Sequence, residues 1–144
     1  MIRTALLIVA VAALVLLAGF ALWVRLVPMD PAVWHADPET AEGTGRPNEY
    51  RVAVDVAGAP EDVLARFEAV ALAAPRTVRI AGGPAEGRAT YVQRSALMGY
   101  PDAVSVKAEP SGGGTRLHVW SRSRYGQSDL GVNAARVERW LAAM

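Results

Sequence analysis

Apolar residues follow three different rhythms along this chain, and each rhythm marks a different kind of element. From Ala5 to Val24 (ALLIVAVAALVLLAGFALWV) there is no charge and no proline, and the apolar character has no polar face. Twenty residues at a helical rise of 1.5 Å span about 30 Å, the thickness of a bilayer's hydrocarbon core. A helix bonds its own backbone polar groups, so hydrocarbon is an acceptable solvent for it. Between residues 28 and 48 the rhythm is lost. Pro28, Pro31, Pro38 and Pro47 prevent a continuous helix, and Gly43 and Gly45 add turns.

After that the chain reads as a folded domain. Tyr50, Val52, Val54 and Val56 alternate with Arg51 and Asp55, which predicts a half-buried strand over Tyr50–Val56. Ala59-Pro60-Glu61-Asp62 opens a helix: proline suits the first helical position, and two carboxylates face the positive end of the dipole. Val63, Leu64, Phe67, Val70, Ala71 and Ala74 continue it at helical spacing until Pro75. Thr77–Ala81 and Arg88–Ser95 predict a hairpin across GGPAEG, and Ala103–Glu109 and Thr115–Arg124 a second across PSGGG. In the last strand Leu117, Val119, Ser121 and Ser123 share one face, and Arg116, His118, Trp120, Arg122 and Arg124 share the other. Val137, Trp140, Leu141 and Met144 recur with the period of a C-terminal amphipathic helix. The expectation is an α+β fold: an N-terminal transmembrane helix, then a small antiparallel sheet with two helices on one face. The boundaries are a membrane anchor over 1–27, a linker over 28–48 and the α+β domain over 49–144.

A cleaved signal peptide is the rival reading of the first segment, with Arg3 in its charged region and Gly19-Phe20-Ala21 as a small-x-small cleavage site. The apolar run is longer than that reading needs and continues through Leu22, Trp23 and Val24. Trp23 suits the headgroup boundary, and Arg25 can extend into it. The N-terminal amine and Arg3 precede the helix and Arg25 follows it, which predicts the domain outside the cytoplasm. The membrane partner is then lipid, through residues 5–24. The expected location is the inner membrane, single-pass, with the domain facing the periplasm.

Composition narrows the chemistry. With no cysteine, disulfides, thiolate metal sites and cysteine nucleophiles are excluded. A net charge of +1 gives no reason to expect a nucleic-acid partner. Charge is segregated, however: residues 28–62 hold eight acids and two bases, and residues 63–144 hold eleven bases and six acids. The acidic linker is expected to lie against the basic half. Within that linker Trp34-His35 is an aromatic pair in a polar stretch, expected to dock onto the domain and to cover Trp120.

The segment from Ser121 to Arg136 holds more polar punctuation than a core strand needs. Ser121, Arg122, Ser123, Arg124, Gly126, Ser128, Asp129, Gly131, Asn133 and Arg136 read as S-R-S-R, then G-x-S-D-x-G-x-N, then a helical arginine. This pattern resembles the C-terminal signature of the bacterial domain of unknown function 1499 family. Tyr91-Val92-Gln93-Arg94-Ser95, Tyr100-Pro101-Asp102 and Asp30-Pro31-Ala32-Val33-Trp34-His35 are similar to that family as well. The resemblance covers most of the chain. It implies an envelope location and no particular activity.

The residues themselves allow two readings of this motif. In the first, Asp129 folds back onto Arg122 and Arg124 and pins the loop to the sheet. Gly126 and Gly131 then supply turns, and Asn133 caps the last helix. In the second, Arg94, Arg122, Arg124 and the N–H groups near Asn133 converge on a phosphate or carboxylate. The expected function is accordingly a non-enzymatic binding or interaction module for an anionic or apolar small molecule or a protein partner. The alternative is a hydrolase built on Ser128, Asp129 and His118. Against it, the chain has no G-x-S-x-G elbow, and His118 faces away from Ser121 and Ser123. No metal-ligand spacing involves His35 or His118, and Gly112-Gly113-Gly114 lacks the lysine of a phosphate-binding loop, so neither metal nor cofactor is expected.

Overall fold

A computed structural model describes residues 2–144. Helix α1 spans Ile2–Leu26. By length and composition it fits a single membrane span or a signal sequence. A four-residue helix α2 (Pro31–Trp34) follows, capped by the Asp30 side chain, which accepts from Ala32 N at 2.9 Å. The domain then runs β1 (Glu49–Val56), α3 (Pro60–Ala73), β2 (Thr77–Gly83), β3 (Arg88–Arg94), β4 (Pro101–Ser111), β5 (Gly114–Ser123) and α4 (Val132–Ala142). The architecture is α+β, as the hydrophobic rhythms predict.

The five strands form one antiparallel sheet in the order β1-β5-β4-β3-β2. Both hairpins run further into their turns than the apolar residues suggest. β2 continues to Gly83 and meets β3 after a short 3₁₀ turn at Pro84–Glu86. β4 and β5 pair out to Ser111 and Gly114, so Gly112 and Gly113 alone make the turn. Both have positive φ (55° and 86°), the backbone that a two-residue hairpin demands. The ladder's hydrogen bonds extend the strands past the point where hydrophobicity ends.

Helices α3 and α4 cover one face. Val63, Leu64 and Phe67 of α3 and Val137 and Trp140 of α4 are buried against Ala89, Tyr91, Val104, Val106, Leu117 and Val119. Phe67 meets the Trp140 ring edge-on at 5.8 Å. The opposite face is covered too. Residues 28–48 cross it as a strap, and Met29 is buried with Val92 and Ala103 while Trp34 packs alongside. Consequently Pro101–Val106 of β4 is buried without alternation, as expected of a strand enclosed on both sides.

The strap is held by charge and by stacking. Trp120 lies between two guanidiniums, with Arg51 at 3.8 Å and Arg122 at 3.7 Å from its ring. Arg51 donates to the Pro38 and Ala41 carbonyls at 3.0 and 2.7 Å. Arg122 donates to Trp34 O at 2.7 Å and to Ser105 Oγ at 3.1 Å. Trp34 does not lie on Trp120: Arg122 stands between them, 5.4 Å from the Trp34 ring. Lys107 bonds Glu39 at 2.5 Å and lies 3.7 Å from Asp37, so the acidic strap does lie on basic residues of the sheet.

Candidate functional site

The motif residues gather at one end of the sheet, where β5 runs out, α4 begins and α1 arrives. Their geometry has two parts, a buried polar network and a docking seat for α1.

The network centres on Arg136, whose position in α4 turns its side chain under the sheet. Arg136 Nη2 donates to Asp102 Oδ2 at 2.6 Å, Nε to Gln93 Oε1 at 2.7 Å, and Nη1 to Ser121 Oγ at 2.9 Å and Asn133 Oδ1 at 2.6 Å. Asn133 Nδ2 donates to Asn48 O at 2.9 Å and Ser123 Oγ at 3.0 Å. Ser121 Oγ donates to Asn133 Oδ1 at 2.5 Å. Asn48 Nδ2 then ties in Gly126 O at 2.8 Å. Every side chain in this set has a partner, so burial of the guanidinium is compensated within the fold.

Two expectations for the motif need correction. Asn133 is not the cap of α4: it lies inside the helix, fully buried, with Gly131 at the cap position. Asp129 does the capping, accepting from Asn133 N at 2.7 Å and Gly131 N at 3.1 Å. Nor does Asp129 clamp Arg122 and Arg124. Burial alone would raise its carboxyl, but the N–H groups of Asn133 and Gly131 outweigh that and hold it below the ordinary carboxylate range. The buried Arg–Asp pair of this fold is Arg136–Asp102. Asp102, Gln93 and Asn48 were not legible as its members. Tyr100-Pro101-Asp102 and Gln93-Arg94 did stand in segments similar to the family, which was the available signal.

The seat for α1 uses two of the three arginines expected to converge. Arg94, at the end of β3, donates to Val24 O at 3.0 Å and Val27 O at 2.6 Å. Arg124, just past β5, donates to Pro28 O at 2.5 Å. The last carbonyls of a helix lack intrahelical partners and carry the negative end of its dipole, so Arg94 satisfies that end at Val24 O, while the bonds to Val27 and Pro28, just past Leu26, fix the chain that leaves it. Burial and the Arg124 charge hold the Arg94 guanidinium below its ordinary value. Val24 is fully buried, and the Trp23 ring lies 6.0 Å from that of Tyr125, which lies 6.0 Å from Tyr100. Arg25 donates to Leu97 O, and Gly99 (φ +75°) leaves room where a Cβ would land inside the Arg25 side chain. Arg122 is the third arginine, and it is spent on the strap. Its burial, with the neighbouring Arg51 charge, pushes its pKa down to about 10.

A cleft of about 440 Å³ opens beside this seat, with walls from Phe20, Trp23, Tyr100, Tyr125, Ser128 and Val132. The hydrolase residues are not brought together. Ser128 Oγ accepts from Leu130 N at 3.3 Å, Asp129 caps α4, and His118 Nε2 lies 3.1 Å from Glu109 Oε1 on the strap side. The fold does assemble one group that spacing did not foretell. Glu39, Glu109 and His118 converge closely enough to hold a cation. The Lys107 ammonium already bonds both carboxylates, at 2.5 and 3.0 Å.

A family model described as "Protein of unknown function (DUF1499)" matches residues 27–144, strap and domain together. The comparison with curated proteins finds no match. Among solved structures, DR_A0006 from Deinococcus radiodurans is similar at 17% identity and a TM-score of 0.39, covering 63% of this chain and 94% of its own. A Thermobifida fusca protein solved by NMR is similar at 12% identity and a TM-score of 0.35, covering 65% of this chain and 82% of its own.

Proposed function

The chain belongs to the DUF1499 family of proteins of unknown function, and from that premise we propose a single-pass envelope protein of the inner membrane whose periplasmic domain is a non-enzymatic binding module. The observation that carries this reading is the seat of α1. The helix runs unbroken to Leu26; Arg94 bonds its last turn at Val24 O and the next residue at Val27 O, and Arg124 bonds Pro28 O just beyond. At that level Trp23, Tyr100 and Tyr125 form one aromatic group from helix and domain. Such rings favour the bilayer–water boundary. A domain seated this way rests against the membrane with one end.

The basic residues flanking α1 support the orientation. Ser128, Asp129 and His118, the side chains of the hydrolase alternative, each have a structural partner, which favours binding over catalysis.

The natural absence of cysteine supplies the test. Ser111→Cys, at the exposed far hairpin, should react with an impermeant maleimide in cells whose outer membrane alone is opened. Labelling only after the inner membrane is lysed refutes the orientation. The chain should stay with membranes through alkaline washing, at its uncut mass of 15.3 kDa. Release into the wash, or a shortened chain, refutes the tether.

A further inference from the structure

Three features stand at this end beyond the contacts that seat α1. The first is the cleft of about 440 Å³, a size within the ordinary range for small-molecule sites. Phe20 and Trp23 give it one wall from α1 itself, and Val132 adds apolar surface from the start of α4. Phe20 stands three residues deeper than Trp23, about 4.5 Å further along the helix toward the hydrocarbon. The second is the Tyr125 hydroxyl. Tyr125 lines the cleft, yet its hydroxyl is shielded from solvent and has no hydrogen-bond partner among the described residues. Buried hydroxyls are almost always paired, so an orphan beside a cleft points to a partner from outside the chain.

The third is a pair of leucines. Leu97 is 80% exposed and Leu130 is 94% exposed. Each sits in a loop whose neighbours form the cleft: Ser95 and Tyr100 flank one, and Asp129 and Val132 the other. Leu130 also holds a left-handed backbone (φ 53°), which is uncommon for any residue but glycine and asparagine. A strained backbone that holds an apolar side chain outward beside an apolar cleft suits an apolar surrounding. The two acids at the cleft are already accounted for, Asp102 by Arg136 and Asp129 by the N-terminus of α4.

We propose that this cleft seats one phospholipid of the leaflet on the domain's side, between Leu97 and Leu130 inserted at the bilayer boundary. The upper acyl chain lies against Phe20, Trp23 and Val132, and a turn of the Tyr125 ring toward the cleft lets its hydroxyl donate to an ester or phosphate oxygen of the lipid. The proposal rests on the membrane reading above, because only an inserted α1 brings lipid to this height.

The test uses the full chain in nanodiscs of phosphatidylethanolamine and phosphatidylglycerol, released into mild detergent and examined by native mass spectrometry. The wild-type chain is expected to keep one phospholipid. Val132→Trp, made at a half-exposed position of α4, fills the cleft and should lose it. Leu130→Gln, which alters no packing, should cut retained lipid severalfold, and Tyr125→Phe should weaken it in the same direction. Equal retention by wild type, V132W and L130Q overturns the proposal, as does a wild-type chain that resists alkaline washing but carries no lipid. A chain that leaves the membrane in the alkaline wash fails at the earlier step, and both readings fall with it.

Discussion

Arg136 shows how a residue read as a helical arginine becomes the centre of a fold. Its guanidinium is nearly sequestered from solvent and bonds Asp102, Gln93, Ser121 and Asn133 at once. Removing one member of a buried ion pair leaves the other charged and unpaired, at a cost of about 3–5 kcal/mol. Arg136→Met should therefore lower stability by that order in chemical denaturation of the full chain in micelles. A loss below 1 kcal/mol (roughly the value of an exposed pair) would mean the network is dispensable. His35 supplies a pH effect at the same scale. Its Nδ1 lies 2.9 Å from Thr90 Oγ1, and its Nε2 accepts from Arg88 at 3.2 Å. Burial, then the Arg88 guanidinium, hold its pKa below the ordinary value, with Glu86 opposing in part. As pH falls below about 6.5 the unfolded chain binds the proton before the folded one does. The strap should thus be firm above that pH and loosen on acidification down to the folded value. Hydrogen exchange of the strap amides, corrected for intrinsic rates, should report it. His35→Gln should abolish the dependence in that window.

At the scale of elements, the strap and the last turn of α1 are the parts that matter most. A proline-rich segment reads as a free connection because it has no period, yet this one is clamped along its length by Arg51, Arg122 and Lys107. Arg122 works through its shape. One edge of the guanidinium donates to Trp34 O and Ser105 Oγ while its face stacks on Trp120. A lysine keeps the charge but loses the fork and the stack. Arg122→Lys is expected to cost about 0.5–2 kcal/mol, the value of a cation–π contact from exposed to desolvated sites. It should also expose the strap to protease cleavage at Arg46. Unchanged cleavage would assign the strap's hold to Lys107 and Arg51 instead.

Taken whole, the molecule is a sheet closed on both faces and locked at one end to an apolar helix. Helices close one face, the strap closes the other, Arg94 couples the domain to the last turn of α1, and Arg124 holds the chain just past it. A domain on a loose tether samples many orientations, whereas one bonded to the helix's last turn and to the two residues that follow it keeps one. Arg94→Ala with Arg124→Ala should free it. A spin label on Ser111→Cys in oriented bilayers is expected to show a narrow orientational distribution in the parent chain and a broad one in the double variant. Equal breadth in both would place the coupling in the Trp23–Tyr125–Tyr100 contacts alone.

Local periodicity was enough for α1, for the strands and two helices of the domain, and for which helix faces are buried. Each follows from side-chain spacing within a few residues, and burial of apolar area acts on that spacing directly. The S-R-S-R and G-x-S-D-x-G-x-N motif was equally plain as a pattern. What its polar residues bind was not, because their partners are far off in sequence: Arg136 meets Asp102, Asn133 meets Asn48, and Arg94 meets Val24. A charged or hydrogen-bonding group carries no period and is satisfied by whichever complementary atom the fold brings within about 3 Å. Only the closed sheet, the strap laid over it and the arrival of α1 decide that arginines legible as an anion site bond backbone carbonyls instead.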